Sequence, residues 1–384
     1  MASTVAGANH AVAQSSAAGL APNETGPNET GPGETGQCWA TPCEAGLWQT
    51  AAAAGLQYGS ASDIEIGSAP AAYAAAFVRH CELLAPNMGW HRAAPWPGSD
   101  QPAWEDPNIG FARTHRMRLT GGHLLWHKAL PGYFLAAASG GPAQALAADH
   151  IRMMVSHYAG QVFSWNVVNE AIDTTASDSN NLRRSPLLAK LGPAYITEAF
   201  KTARDAAPDT LLAYNDTQFE MDTRHHEARR SALLRLLDRL GRDGAPIGAV
   251  GLQTHLRLDG ERFEAGRYRR FLQDIASRRL RILITELDVF DIGVVGTAAQ
   301  RDGAVAALYR DVLAVILDEP AVASVVTWGL SDRYTWLTPK TDARYVRADG
   351  LPARPLPLDD AFQPKQAFDA VADAFHRARS RSPA

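Results

Sequence analysis

The chain has 384 residues, 46% of them hydrophobic and 20% charged, with a formal net charge of -4. That is the composition of a folded globular protein, long enough for one large domain or two modest ones. No long basic run supports nucleic-acid binding, and no apolar stretch reaches the roughly 18 residues a membrane span needs.

Residues 1–36 are rich in Ala, Ser and Gly and then repeat as PNETG, PNETG, PGETG. Such a stretch cannot bury enough apolar surface to offset the entropy of ordering, so it is expected to be a disordered tether. Asn23 and Asn28 stand in short N-x-T sequons that arise often by chance. The N-terminus lacks the basic n-region and continuous apolar h-region of a signal peptide. The three cysteines, Cys38, Cys43 and Cys81, are an odd count that argues against a disulfide framework. Either Cys38 and Cys43 pair across a short loop, leaving Cys81 as a buried thiol, or all three stay reduced. Their spacing does not suit a metal.

From about residue 45, short apolar runs alternate with helical patterns. The expected strands are 56–62, 81–86, 117–122, 162–169, 211–216, 249–255, 281–288 and 324–330. Their near-continuous Val, Ile and Leu content suits strands buried on both faces. Helical spacing fills 69–81, 143–160, 193–207, 227–241, 301–317 and 364–378, with stops at Gly160 and Gly241 and a start at Pro193. Eight strands alternating with helices over residues 37–384 predict a single (β/α)8 TIM barrel. An open doubly wound sheet would want a Gly-rich phosphate loop after the first strand, and GSASDIEIGS is not one.

In such a barrel the chemistry sits at the C-terminal ends of the strands. The fourth expected strand ends Trp165-Asn166-Val167-Val168-Asn169-Glu170, and the seventh ends Ile284-Thr285-Glu286-Leu287-Asp288. A carboxylate where an apolar strand meets its loop needs a partner or a task, because desolvating a charge is costly. Two carboxylates on one barrel rim suit glycoside hydrolysis: one protonates the departing oxygen and the other attacks the anomeric carbon. A pair of salt-bridged structural carboxylates is the competing reading.

The surroundings of this pair resemble glycoside hydrolase family 10, typified by endo-β-1,4-xylanases. WNVVNEA around Glu170 is similar to the family's WDVVNEA, and LITELDV to its nucleophile strand. GLQTHL (251–256), LLWHKALPGYF (124–134), TWGLSDRYTWL (327–337), AYNDTQ (213–218) and QPKQAF (363–368) also match, in order, over about 55–375. The resemblance implies a retaining enzyme with Glu170 as acid/base and Glu286 as nucleophile, no cofactor or metal, and a monomer acting on a polysaccharide or oligosaccharide. Asn169 is expected at the 2-hydroxyl of the sugar being cleaved, His255 beside Glu286, and Gln253 nearby. His127, Trp126, Trp328 and Trp336 are expected to wall the sugar cleft, since sugars pack apolar C–H faces on aromatic rings. Asn215 and Asp216 are expected behind the site, and Tyr214 in the core.

Three departures stand out. Where the family has a segment like PENEMKW, which binds sugar on the non-reducing side, this chain reads Ala85-Pro86-Asn87-Met88-Gly89-Trp90, leaving Asn87 as the remaining candidate. In TGGHLLWH, His123 is one residue out of step with the family's RGHTLVWH. A one-residue shift turns a strand side chain to the other face, so His123 reaches the site only through a local irregularity. Asn166 replaces the usual Asp four residues before the acid/base.

The expected activity is retaining cleavage of internal β-1,4 linkages in a xylan-like polymer. The alternatives are a related retaining β-glycanase for another polymer, such as a bacterial exopolysaccharide, and a non-catalytic carbohydrate-binding barrel. A polymeric substrate favours a secreted or periplasmic location.

Overall fold

The computed structural model describes residues 45–175, 180–338, 340 and 342–378. The expected tether, its sequons, and Cys38 and Cys43 lie outside these residues. Cys81 is buried, as expected of a lone thiol in the core.

Among the described residues nine parallel strands follow in chain order: β1 (Gln57–Ala61), β2 (Leu83–Ala85), β3 (Arg118–Trp126), β4 (Val162–Asn169), β5 (Leu211–Asp216), β6 (Ala249–Leu252), β7 (His255–Arg257), β8 (Arg281–Phe290) and β9 (Val322–Thr327). The order is β6-β5-β4-β3-β2-β1-β9-β8, and β8 pairs back onto β6 to close an eight-stranded barrel. The short β7 pairs with the outer end of β8. Helices cover the outside, among them Ala71–His80, Gly141–His157, Tyr195–Ala206, Arg224–Arg242, Ala298–Ile316 and Gln366–Ala378. This is the (β/α)8 barrel that the alternating pattern predicts.

Local chemistry sets the element ends. Pro107 opens a helix behind Asp106, whose Oδ1 accepts from the Asn108 N–H at 2.9 Å. Thr297 and Gln300 form a capping box at the start of Ala298–Ile316. The last strand stops at Thr327, short of the expected residue 330, because Gly329 turns the chain at φ +110°.

Two departures from the expected strands shape the site. The run 249–255 is split: Thr254, at φ +60°, breaks the strand between β6 and β7. In β3 the pairing with β4 slips between Gly122 and Leu125, and the Gly122–His123 peptide is cis. This slip is the irregularity His123 requires.

The C-terminal segment is tied down by buried ions. Lys365 Nζ lies 2.7 Å from Asp332 Oδ2 and 3.1 Å from Asp302 Oδ1, and Arg354 pairs with Asp302 at 2.8 Å. Burial pushes the Asp332 carboxyl up to about 7 against the pull of Lys365. Lys365 and Asp332 belong to the matching segments QPKQAF and TWGLSDRYTWL, and their work is architectural.

Candidate active site

Glu170 follows directly on β4 and Glu286 lies within β8, and both line one cleft of about 610 Å³ at the C-terminal end of the barrel. Glu170 has φ +54°, a left-handed conformation rare for a side-chain-bearing residue and costing on the order of 1–3 kcal/mol. Neighbouring elements hold it there. Its N–H donates to the Asn215 carbonyl at 2.9 Å, and Arg183 Nε donates to its carbonyl at 2.8 Å. The next two N–H groups donate to Tyr214 Oη (3.2 Å) and Asp216 Oδ2 (3.2 Å). Asp216 is fully buried, takes the Tyr214 hydroxyl at 2.5 Å and pairs with Arg229. Tyr214 is thus in the core, as expected, and also supports the loop that carries Glu170.

Glu286 is 6% exposed. Asn215 Nδ2 donates to its Oε1 at 3.0 Å, and His255 Nε2 to its Oε2 at 3.1 Å. His123 Nε2 lies 3.6 Å from Oε1, so the slipped strand does deliver this ring to the site. Burial pushes the Glu286 carboxyl up, but His123 and His255 outweigh it and bring it down to about 2. Desolvation likewise opposes a charged His255, yet Asp288 and Glu286 raise it to about 10. His255 is therefore an imidazolium clamped between Asp288 (3.0 Å) and Glu286. Trp336 Nε1 donates to the other Asp288 oxygen at 2.7 Å. Asp288 is two residues from Glu286, so the alternation of a strand puts both on one face.

An amide relay joins the two carboxylates. Gln253 Nε2 donates to Glu170 Oε1 at 3.2 Å. The Asn169 amide lies within reach of the Asn215 amide (3.0 Å), the Gln253 amide (3.3 Å) and the Trp126 indole N–H (3.2 Å). Thr285 Oγ1 donates to Asn215 Oδ1 at 2.8 Å. Gly251 makes room for that amide: an added Cβ would come 2.2 Å from Asn215 Oδ1.

Glu170 keeps a lower pKa than an ordinary glutamate. Burial raises it, but Lys128, Gln253 and Trp126 outweigh burial. Lys128 Nζ lies 3.5 Å from Glu170 Oε2 and 5.2 Å above the Trp126 ring.

Of the residues expected at the site, Glu170, Glu286, Asn169, Trp126, Gln253, His255, Trp328, Trp336 and Asn87 line the cleft. His127 does not. It follows Trp126, which takes the cleft-facing side, and burial together with Arg183 lowers its imidazole to about 4. Asn87 is partly committed to its own turn, its Oδ1 accepting from the Gly89 N–H at 3.1 Å. Asn166 pairs along the strand with Gly122 and Ala213, below Glu170.

The cleft has further walls that the motifs did not point to. Lys128 sits beside a matched Trp-His pair, and Asp288 is legible from the two-residue period of β8. Asp63, His91 and Arg183 also line the cleft but carry no local signal. On the side formed by Ala85, Pro86 and Gly89, the His91 ring stands 3.2 Å from where a Gly89 Cβ would be.

The sequence profile of glycosyl hydrolase family 10 matches residues 46–374. Endo-1,4-beta-xylanase B of Thermotoga neapolitana is 32% identical over 268 residues, covering 69% of this chain and 72% of that protein. Xylanase 10B from Thermotoga maritima superposes with a TM-score of 0.76 at 28% identity, covering 87% of this chain and 99% of the other. Xylanase 10B from Thermotoga petrophila, solved with xylobiose, gives the same TM-score of 0.76 at 28% identity, covering 88% and 98%. A closed barrel, two carboxylates on one rim and a profile match across nearly all of the described fold establish that the chain belongs to glycosyl hydrolase family 10.

Proposed function

We propose that the chain is a retaining endo-β-1,4-xylanase. The observation that carries this is the difference in environment between its two cleft carboxylates. Glu286 is dehydrated and held ionised by an imidazolium and an amide, as a nucleophile must be. Glu170 sits at the end of the relay, more accessible, where it can gain and lose a proton. In the first step a Glu286 oxygen bonds to the anomeric carbon. The glycosidic C–O bond breaks as Glu170 gives its proton to the departing oxygen. Water then attacks the same carbon, passing a proton to Glu170 and releasing Glu286. Asn169, between the two, would meet the 2-hydroxyl, where a contact strengthens in the transition state. Trp328 and Trp336 supply aromatic walls. The xylanase names of the relatives, and the xylobiose in one of them, support xylan as the polymer.

A second reading, a retaining glycanase for another β-linked polymer, is favoured by one observation. The wall at Ala85, Pro86 and Gly89 carries no charged side chain of its own. A panel of β-linked polysaccharides with product sizing decides between them: internal cleavage of xylan with retained anomeric configuration supports the proposal, and cleavage of a different polymer alone overturns it. Glu286→Ala should abolish turnover with the fold intact. Glu170→Ala should lose about 10²–10⁴-fold on a glycan but much less on an aryl glycoside whose leaving group needs no proton. We further infer that action on a polymer places the enzyme outside the cytoplasm, which fractionation of the producing cells tests.

A further inference from the structure

The cleft cations differ in what balances their charge. Arg257 pairs with Asp259 at 3.0 Å, Arg344 with Asp342 at 2.6 Å, and Arg183 lies 3.9 Å from Asp173 while spending its other donors on the Glu170 and Ile172 carbonyls. Lys128 is different. Among the described residues its ion-pair partner is the acid/base itself, at 3.5 Å, and its side chain is 60% exposed.

That partner disappears during the reaction. Glu170 must be protonated to assist departure of the leaving group. In the reactive complex, therefore, Lys128 loses its counter-ion while still standing in the cleft. The other charges facing Glu170 do not replace it. Glu286 is balanced by His255, Asp216 is paired with Arg229, and the neighbouring His127 is held neutral beside Arg183. Because Glu170 addresses the departing oxygen, Lys128 stands beside the bond that is cut.

Deepening the xylanase reading, on which it rests, we propose that Lys128 is a specificity-determining residue that pairs with a carboxylate on the leaving-group side, so that the preferred substrate is a uronic-acid-bearing β-1,4-glycan. The sugar carboxylate draws the flexible ammonium off Glu170 and takes over as its counter-ion. Glu170 then binds a proton more readily. Charge recognition and acid catalysis are coupled through one side chain.

The test uses the full chain and two xylo-oligosaccharides that differ only in a glucuronic acid branch on the leaving-group side. Wild type should favour the acidic glycan in kcat/KM by roughly fivefold at low salt, the scale of one partly exposed ion pair. The preference should shrink as salt rises. In Lys128→Met it should fall towards parity, and in Lys128→Arg, which keeps the charge, it should be largely restored. The basic limb of kcat, which reports the enzyme–substrate complex, should lie at higher pH for the acidic than for the neutral glycan in wild type. That gap should narrow in Lys128→Met. Cleavage of both glycans with the same kcat/KM ratio in wild type and Lys128→Met overturns the role of Lys128 alone. Failure of folded wild type to cleave either glycan overturns the xylanase reading and this inference with it.

Discussion

Glu170 and Glu286 are the same residue type given different environments by their neighbours. His255 does most of the separating. Its imidazolium, raised to about 10 by Asp288 and Glu286 against desolvation, helps depress Glu286 to about 2. His255→Asn removes a positive charge from the nucleophile, so the Glu286 pKa should rise. The acid limb of kcat/KM should then move to higher pH, because the carboxylate is lost sooner as pH falls; a pH–rate profile of the two proteins checks this. Asn215 acts on the other oxygen. The resemblance puts Asn215 only behind the site, and the structure shows why that position matters: it touches Glu286 and Asn169 at once.

Strands place these side chains, and small residues decide how closely. Gly251 in β6 is where Asn215 of β5 leans across. Gly251→Ala should push that amide off Glu286 and lower kcat by about 10-fold or more, the loss of one hydrogen bond to a charged group. KM should change less, and far-ultraviolet circular dichroism should stay native. The slip in β3 is the same lesson at the level of register. From the sequence His123 sits one residue out of step, and a strand read as regular turns it away. The slip against β4 between Gly122 and Leu125 restores it. His127 shows the converse: a motif residue in the turn just after Trp126 that does not line the cleft.

Across the whole molecule, buried charge links the site and the closing segment to the barrel. Lys365 joins the chain just before its last helix to Asp332 and Asp302. Lys365→Met leaves the buried Asp332 carboxyl without its ammonium, while Asp302 keeps Arg354, and should cost about 3–5 kcal/mol in chemical denaturation. The Glu286–His255 pair makes stability depend on pH in a defined way. Glu286, depressed from 4.5, contributes stability above its ordinary value that is lost as pH falls towards about 2. His255, raised from 6.5, contributes stability below its ordinary value that is lost as pH rises through about 10. Both contributions are full between 4.5 and 6.5. The gap in Tm between wild type and His255→Asn should therefore be widest in that window and close on the alkaline side, as calorimetry across pH would show.

The sequence by itself determined the barrel, since apolar runs separated by amphipathic helices have few other ways to bury both faces of eight strands. It also singled out Glu170 and Glu286, because a carboxylate at the end of an apolar strand is costly unless used, and the two line one cleft. Trp126, Gln253, His255, Trp328 and Trp336 were legible from motifs that keep their spacing within one strand or loop. What only the tertiary structure decided are relations between strands far apart in sequence: the slip that returns His123, the left-handed turn of Glu170 braced by Tyr214, Asp216 and Arg229, and the pairing of Lys128 with Glu170. Periodicity reports which face a side chain takes on a regular element. It carries no record of where regularity breaks, or of which charge on a neighbouring strand the break brings within 3–4 Å.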